Sequence, residues 1–218
     1  MQPITVVVGP LGAASANNIA LSQTPAGAGA LTLNGSTVVN GVAVLDKPRQ
    51  VLITTAGDEH LKNFVITGTD WAGSTISETV SGIPSGTAKA SVLSYATVTS
   101  ITISAAAAGA LTVGTNGVAS SSWVRLDGWA NPSVSKQCVV SGTVNYTVQY
   151  SNDDPNSATA PVNPNAMTWF NDMNTEFVAA TASQFDLWAF VPLWVRLVLN
   201  SGTGSVTMTL QQTGAAPR

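Results

Sequence analysis

The chain has 218 residues, with 8 basic and 11 acidic side chains, one His and one Cys, for a net charge of −3. Charged residues make up 9% of it, against about 25% in ordinary soluble proteins, while a hydrophobic fraction of 44% is enough to build a core. These figures exclude an electrostatic nucleic-acid binder, which needs clustered Lys and Arg, a disordered chain, a zinc site with the usual three or four His and Cys ligands, and an intrachain disulfide.

Taken from the amino terminus, the periodicity is two rather than 3.6 throughout. The start lacks the positive region of a secretory leader, and its β-branched run, Ile4, Val6 and Val8 with their neighbours, stops at Gly9-Pro10. It reads as an extended arm whose strand could add to a neighbouring molecule. The pair Asn40-Gly41 between Val38-Val39 and Val42-Ala43-Val44 predicts a two-residue hairpin turn, because both turn positions need positive φ. Short strands are expected at 51–55, 63–69, 75–80, 91–95 and 97–104, each bounded by Gly, Pro, Asp or Ser. The small-residue stretch Ala105 to Gly109, then Gly114-Thr115-Asn116-Gly117 and the serines at 120–122, predicts a domain boundary near 118.

Beyond it lie five of the six Trp: Trp123, Trp129, Trp169, Trp188 and Trp194. Val144, Tyr146, Val148 and Tyr150 alternate with polar residues as a half-buried strand does. Trp194 to Leu199, the Gly-rich turn at 200–204 and the alternating Val206, Met208 and Leu210 predict a closing hairpin. Ser183-Gln184-Phe185-Asp186 has the form of a capping box, but Pro192 and the β-rich surroundings favour a loop or edge strand. The fold expected is all-β, as two tandem antiparallel β-sandwich or jelly-roll-like domains: 1–118, carrying the amino-terminal arm, and 119–218. No run approaches the roughly 18 apolar residues of a membrane helix.

The chemistry-bearing residues are few. His60 lies in Gly57-Asp58-Glu59-His60, a polar loop better read as solvated than as the base of a nucleophile pair. Asp153-Asp154 after the strand ending at Tyr150 reads as an Asx-type turn rather than a catalytic carboxylate pair. Arg196, inside an apolar strand, is expected either to snorkel to solvent or to pair with Asp127 or Asp186. Trp188 and Trp194 belong to apolar runs and are expected inside, whereas Trp71 and Trp129 adjoin turns and are the better candidates for contact with a partner. No catalytic, cofactor or metal residue is assigned.

Two stretches carry a resemblance. The first runs from Phe64-Val65-Ile66-Thr67-Gly68-Thr69-Asp70 through Gly73 and Ile76-Ser77-Glu78-Thr79-Val80-Ser81-Gly82 to Tyr95-Ala96-Thr97-Val98-Thr99-Ser100-Ile101. The second links Tyr146-Thr147-Val148-Gln149-Tyr150 and Asp153-Asp154-Pro155 with Thr168-Trp169-Phe170, Trp194-Val195-Arg196-Leu197 and Ser201-Gly202-Thr203-Gly204-Ser205-Val206-Thr207. Together they resemble structural proteins of tailed-bacteriophage virions. Trp71 and Trp188 depart from those patterns. The resemblance implies a non-enzymatic virion protein, made in the bacterial host cytoplasm and acting as a capsid decoration or cement protein. It would bind the major capsid protein or other virion proteins as a homo-oligomer, a trimer being the first choice, with no cofactor and no direct contact with nucleic acid or membrane. Ile4, Val6, Val8, Trp71 and Trp129 are the expected partner contacts. Two other readings stay open: a tail, collar or fibre-base component, and a sugar-binding β-module that uses exposed indoles.

Overall fold

The structure, a computed structural model, describes residues 2–127 and 133–212. It is all-β, with antiparallel sheets and two short 3-10 turns. Two compact units divide the chain, one formed by 12–118 and the other by 1–11 together with 119–218. The first strand, β1 (Ile4–Val8), therefore belongs with the carboxy-terminal half and is not a free arm.

The unit over 12–118 contains β2 (Ser15–Gln23), β3 (Gly29–Ala30), β4 (Val38–Val39), β5 (Val42–Thr55), β6 (Asn63–Thr69), β7 (Thr75–Ser81), β8 (Ala88–Ile103) and most of β9 (Leu111–Ser120). Its sheet runs β9-β5-β8-β6-β7, with β2 on β9, β3 on β8 and β4 on β5. Asn40 at φ 51° and Gly41 at φ 80° make the turn that joins β4 to β5, with Val39 opposite Val42. This is the geometry that Asn-Gly favours, because its twist matches that of the flanking strands. The two strands expected at 91–95 and 97–104 form one continuous strand, β8. It pairs with β5 along most of its length and with β6 through its second half, with register shifts that bend the sheet. One apolar cluster, including Ile53, Phe64, Ile66, Tyr95, Ile101 and Leu111, fills the unit.

The glycines at 114 and 117 do not mark a linker. They lie inside β9, where a Cβ at Gly114 would sit 1.8 Å from the Ser15 carbonyl oxygen. At Gly114 the glycine reports close approach of a second backbone, while the division between the units falls between 118 and 119 within the same strand.

The second unit adds β10 (Val124–Arg125), β11 (Val134–Ser141), β12 (Val144–Ser151), β13 (Phe170–Asn171), β14 (Gln184–Trp188), β15 (Trp194–Gly202) and β16 (Ser205–Gln212). One sheet has the order β1-β16-β11-β14; in the other, β15 pairs with β12, and β12 with β13. Val8, Cys138, Val206, Met208 and Leu210 from the first sheet meet Tyr146, Val148, Val195, Leu197 and Leu199 from the second in one cluster, which makes this unit a β-sandwich. The expected closing hairpin is corrected. β15 and β16 lie in different sheets, β15 pairing with β12 and β16 with β1 and β11, so the Gly202–Gly204 segment carries the chain across the sandwich. The capping-box segment is strand β14 at the edge of its sheet.

Candidate functional site

Of the residues expected to contact a partner, Ile4, Val6 and Val8 face inward. They pair through β1 with Leu210, Met208 and Val206, Val8 is fully buried, and all three pack on the sandwich core. This corrects the arm: the run is strand β1, hydrogen-bonded to β16 on one side and lying at the edge of its sheet. Trp71 is half-buried in the turn between β6 and β7, where the buried Asp70 carboxylate accepts from the Ala72 and Ser74 N–H groups at 2.8 and 2.9 Å. Trp129 lies outside the described residues. Trp71 and strand β1 belong to different units of the chain.

The β1-β16-β11-β14 sheet presents instead a surface that composition alone did not indicate. Its register places Val7, Thr207 and Val139 in one outward row, Thr5, Thr209, Gln137 and Phe185 in the next, and Gln211, Ser135 and Leu187 in the third. None of these side chains is ionisable. Phe185 is 65% exposed and Leu187 57%, with Val7 and Val139 also open to solvent. β14 thus turns Phe185 and Leu187 outward while Asp186 and Trp188 face the sandwich interior.

Beneath that strand is a charged cluster. Lys136 of β11 stands opposite Asp186 of β14 and is fully buried. Its Nζ donates to Asp172 Oδ2 at 2.5 Å, and Asp186 Oδ2 lies 3.3 Å from the same nitrogen. The Asp172 side chain is fully buried as well; its Oδ1 accepts from the Asn174 N–H at 3.0 Å and from Trp188 Nε1 at 3.4 Å. The Asp172 N–H donates to the Val148 carbonyl, which fixes this residue to the opposite sheet. The rings of Phe177 and Trp188 each lie with their centroid 4.5 Å from Nζ, a favourable position for a cation. Burial pushes the Asp186 carboxyl up, but hydrogen bonds from Asn174, the Leu187 backbone and Lys136 outweigh it and hold the group below the ordinary carboxylate range. A cavity of about 330 Å³ adjoins the cluster, lined by Lys136, Asp172, Asn174, Asp186, Trp188 and Phe190.

Sequence reasoning missed this cluster, although a signal was present. Lys136 has the same parity along its strand as Val134 and Cys138, both buried, so alternation alone assigns it to the inner face.

The other polar residues are structural. Asp154 Oδ1 accepts from the Asn156 N–H in an Asx-type turn, and Asp153 Oδ2 accepts from the Thr168 N–H, tying that turn to a segment 15 residues on. His60 pairs with Asp58 at 2.8 Å on the surface, and that contact lowers the Asp58 pKa. Arg196 donates Nε to Gln149 and lays its guanidinium 4.2 Å from the Trp169 centroid, while Asp186 faces Lys136. Burial lowers the Arg196 pKa to about 10, which leaves the guanidinium charged at neutral pH. Cys138 is buried, and desolvation raises its pKa to about 12, so it is not a reactive thiolate. Among the described residues no cluster of three His, Cys, Asp or Glu is arranged to hold a metal ion, and no helix is long and apolar enough to cross a membrane.

Compared with known proteins, the chain matches no family model and no curated protein.

Proposed function

We propose that this chain is a non-enzymatic structural protein of a tailed-bacteriophage virion, acting as a decoration or cement protein on the head lattice. The observation that carries the reading is the outward face of the β1-β16-β11-β14 sheet, a continuous surface without ionisable groups that exposes Phe185, Leu187, Val7 and Val139. A face of this kind can be covered by a neighbour without desolvating charge, and its exposed large apolar side chains match the makeup of interface cores. The two stretches that resemble virion proteins supply the class of neighbour, a capsid or other virion protein. In this reading each copy adds buried area that expansion of the shell would have to expose, which favours the closed lattice by mass action.

The test is binding of the purified chain to particles that lack it, followed by co-sedimentation. The Phe185→Ser/Leu187→Ser variant is expected to fold with stability within about 0.5 kcal/mol of the parent, since both side chains point to solvent, and to lose occupancy on the particles. Full occupancy by the variant would remove this face from the reading. A stained gel of native particles separates a decoration protein, present in many copies, from a tail or fibre-base part, present in few, and the mass of the free protein in solution tests the trimer.

A further inference from the structure

We infer that Lys136 and Asp172 become joined by an intramolecular isopeptide bond, an amide between Lys136 Nζ and Asp172 Cγ that forms within the folded sandwich with Asp186 as proton carrier. This goes beyond the virion reading and does not depend on it.

Three features of the cluster carry the inference. The first is contact. The amine and the carboxyl group are held at 2.5 Å, with both side chains fully buried, so neither is free to leave for water. A pair held in this way reacts as though at very high concentration, because the entropy of bringing the groups together is already spent in folding.

The second is surroundings. Phe177 and Trp188 flank the nitrogen, and among the described residues the polar neighbours are the two carboxylates, the Asn174 amide and the indole N–H. A buried ion pair keeps a desolvation penalty that its mutual attraction only partly repays. Condensation replaces both charges by one neutral amide and removes that penalty.

The third is a route for protons. Asp186 Oδ2 lies 3.3 Å from Nζ and is itself held by Asn174 Nδ2 at 3.1 Å. Across the 2.5 Å contact the ammonium of Lys136 gives a proton to Oδ2 of Asp172, and the freed lone pair attacks Cγ of the resulting carboxylic acid to form the C–N bond. Negative charge on Oδ1 of the tetrahedral carbon is met by the Asn174 N–H and by Trp188 Nε1, the two donors already directed at that oxygen. Two protons from the nitrogen, one of them relayed by Asp186, reach Oδ2, which departs as water. An ammonium and a carboxylate thus give an amide and one water molecule, with Asp186 returned to its starting state. No oxidant, reductant or added reagent is needed. The event happens once per chain and is a self-modification, not turnover.

The bond would have a defined mechanical role. Lys136 lies in β11 of one sheet, and Asp172 follows β13, which pairs with β12 of the other. The amide therefore ties the two layers of the sandwich covalently, in a chain whose single Cys cannot form an internal disulfide.

The experiment is intact-mass spectrometry of the purified full-length chain under denaturing conditions, followed by chymotryptic mapping. The expected mass is one water below that of the sequence, with a branched peptide joining the segment that holds Lys136 to the segment that holds Asp172. Lys136→Arg is expected to have its full sequence mass. Asp186→Asn, which preserves shape, is expected to lose most of the cross-link while its circular dichroism stays that of the parent. The parent chain at full sequence mass would overturn the proposal. So would a water loss that maps to a succinimide at Asp127-Gly128, the other site in this sequence where dehydration is chemically ready.

Discussion

Arg49, in the unit over 12–118, and Lys136, in the sandwich closed by 119–218, are both sunk below the surface, at 3% and 0% exposure. Their surroundings differ in kind. Arg49 spreads its charge over neutral acceptors, donating Nη1 to the Gly12 carbonyl at 2.9 Å and Nη2 to the Asn116 carbonyl at 2.5 Å, and meets its acid, Asp46, where that carboxylate is still 39% exposed. Lys136 has two carboxylates, one as buried as itself, and aromatic rings flanking it. The planar guanidinium works as a brace between three backbone segments, a task its fixed fork of donors suits. The ammonium is placed against a group with which it can condense. Burial of a cation is thus no single motif in this protein: one instance organises loops, and the other prepares chemistry.

Removing each cation in turn breaks the comparison most directly. Lys136→Met removes both the inferred cross-link and the cation that faces the buried Asp172, and the expected loss is about 3–5 kcal/mol, read from urea unfolding monitored by tryptophan fluorescence. A second substitution, Asp172→Leu, should return part of that loss by removing the stranded carboxylate. Arg49→Ala is expected to cost about 2–3 kcal/mol, because the Gly12 and Asn116 carbonyls lose charge-assisted bonds, and Arg49→Lys should recover less than half, since one ammonium cannot reach both. Equal losses for Lys136→Met and Arg49→Ala would erase the distinction.

A substitution in β9 gives a smaller effect confined to the first unit. Gly114→Ala sets a methyl against the Ser15 carbonyl and should destabilise by about 1–3 kcal/mol, visible as loss of amide protection across β2 and β9 with the sandwich protected as before. The smallest effect is in acid. The folded-state pKa of Asp186 lies below its unfolded value, so its contribution is complete above the ordinary carboxylate pKa and is lost as pH falls through the folded value. Unfolding free energy measured from about pH 5 down to pH 2 should therefore fall less steeply for Asp186→Asn than for the parent.

The sequence made local geometry readable and partner choice much less so. Asn40-Gly41 specified its turn because its chemistry is contained in two residues, and Val144 to Tyr150 specified a strand because alternation is a property of a single segment. Pairing is not such a property. Val206, Met208 and Leu210 alternate as they would in a hairpin with β15, yet the turn before them crosses to the other sheet, and no residue within 200–204 distinguishes the two outcomes. Ile4, Val6 and Val8 read as an available strand for the same reason, since their partner lies at the far end of the chain. Of the cluster beneath β14, Lys136 was legible through its parity with Val134 and Cys138. Asp172 was not, because it follows a two-residue strand with no period of its own.

The pairing of β1 with β16 also sets an order of assembly during synthesis. Ile4 opposes Leu210, so the sandwich cannot close its last sheet until β16 has left the ribosome, whereas everything needed for the unit over 12–118 emerges before the sandwich strands that follow it. The earlier unit is, in effect, a passenger inserted between the first strand and the rest of its host. Its removal, with a short linker from Leu11 to Ala119, defines a minimal single-sandwich protein whose folding would no longer wait on a long excursion of the chain.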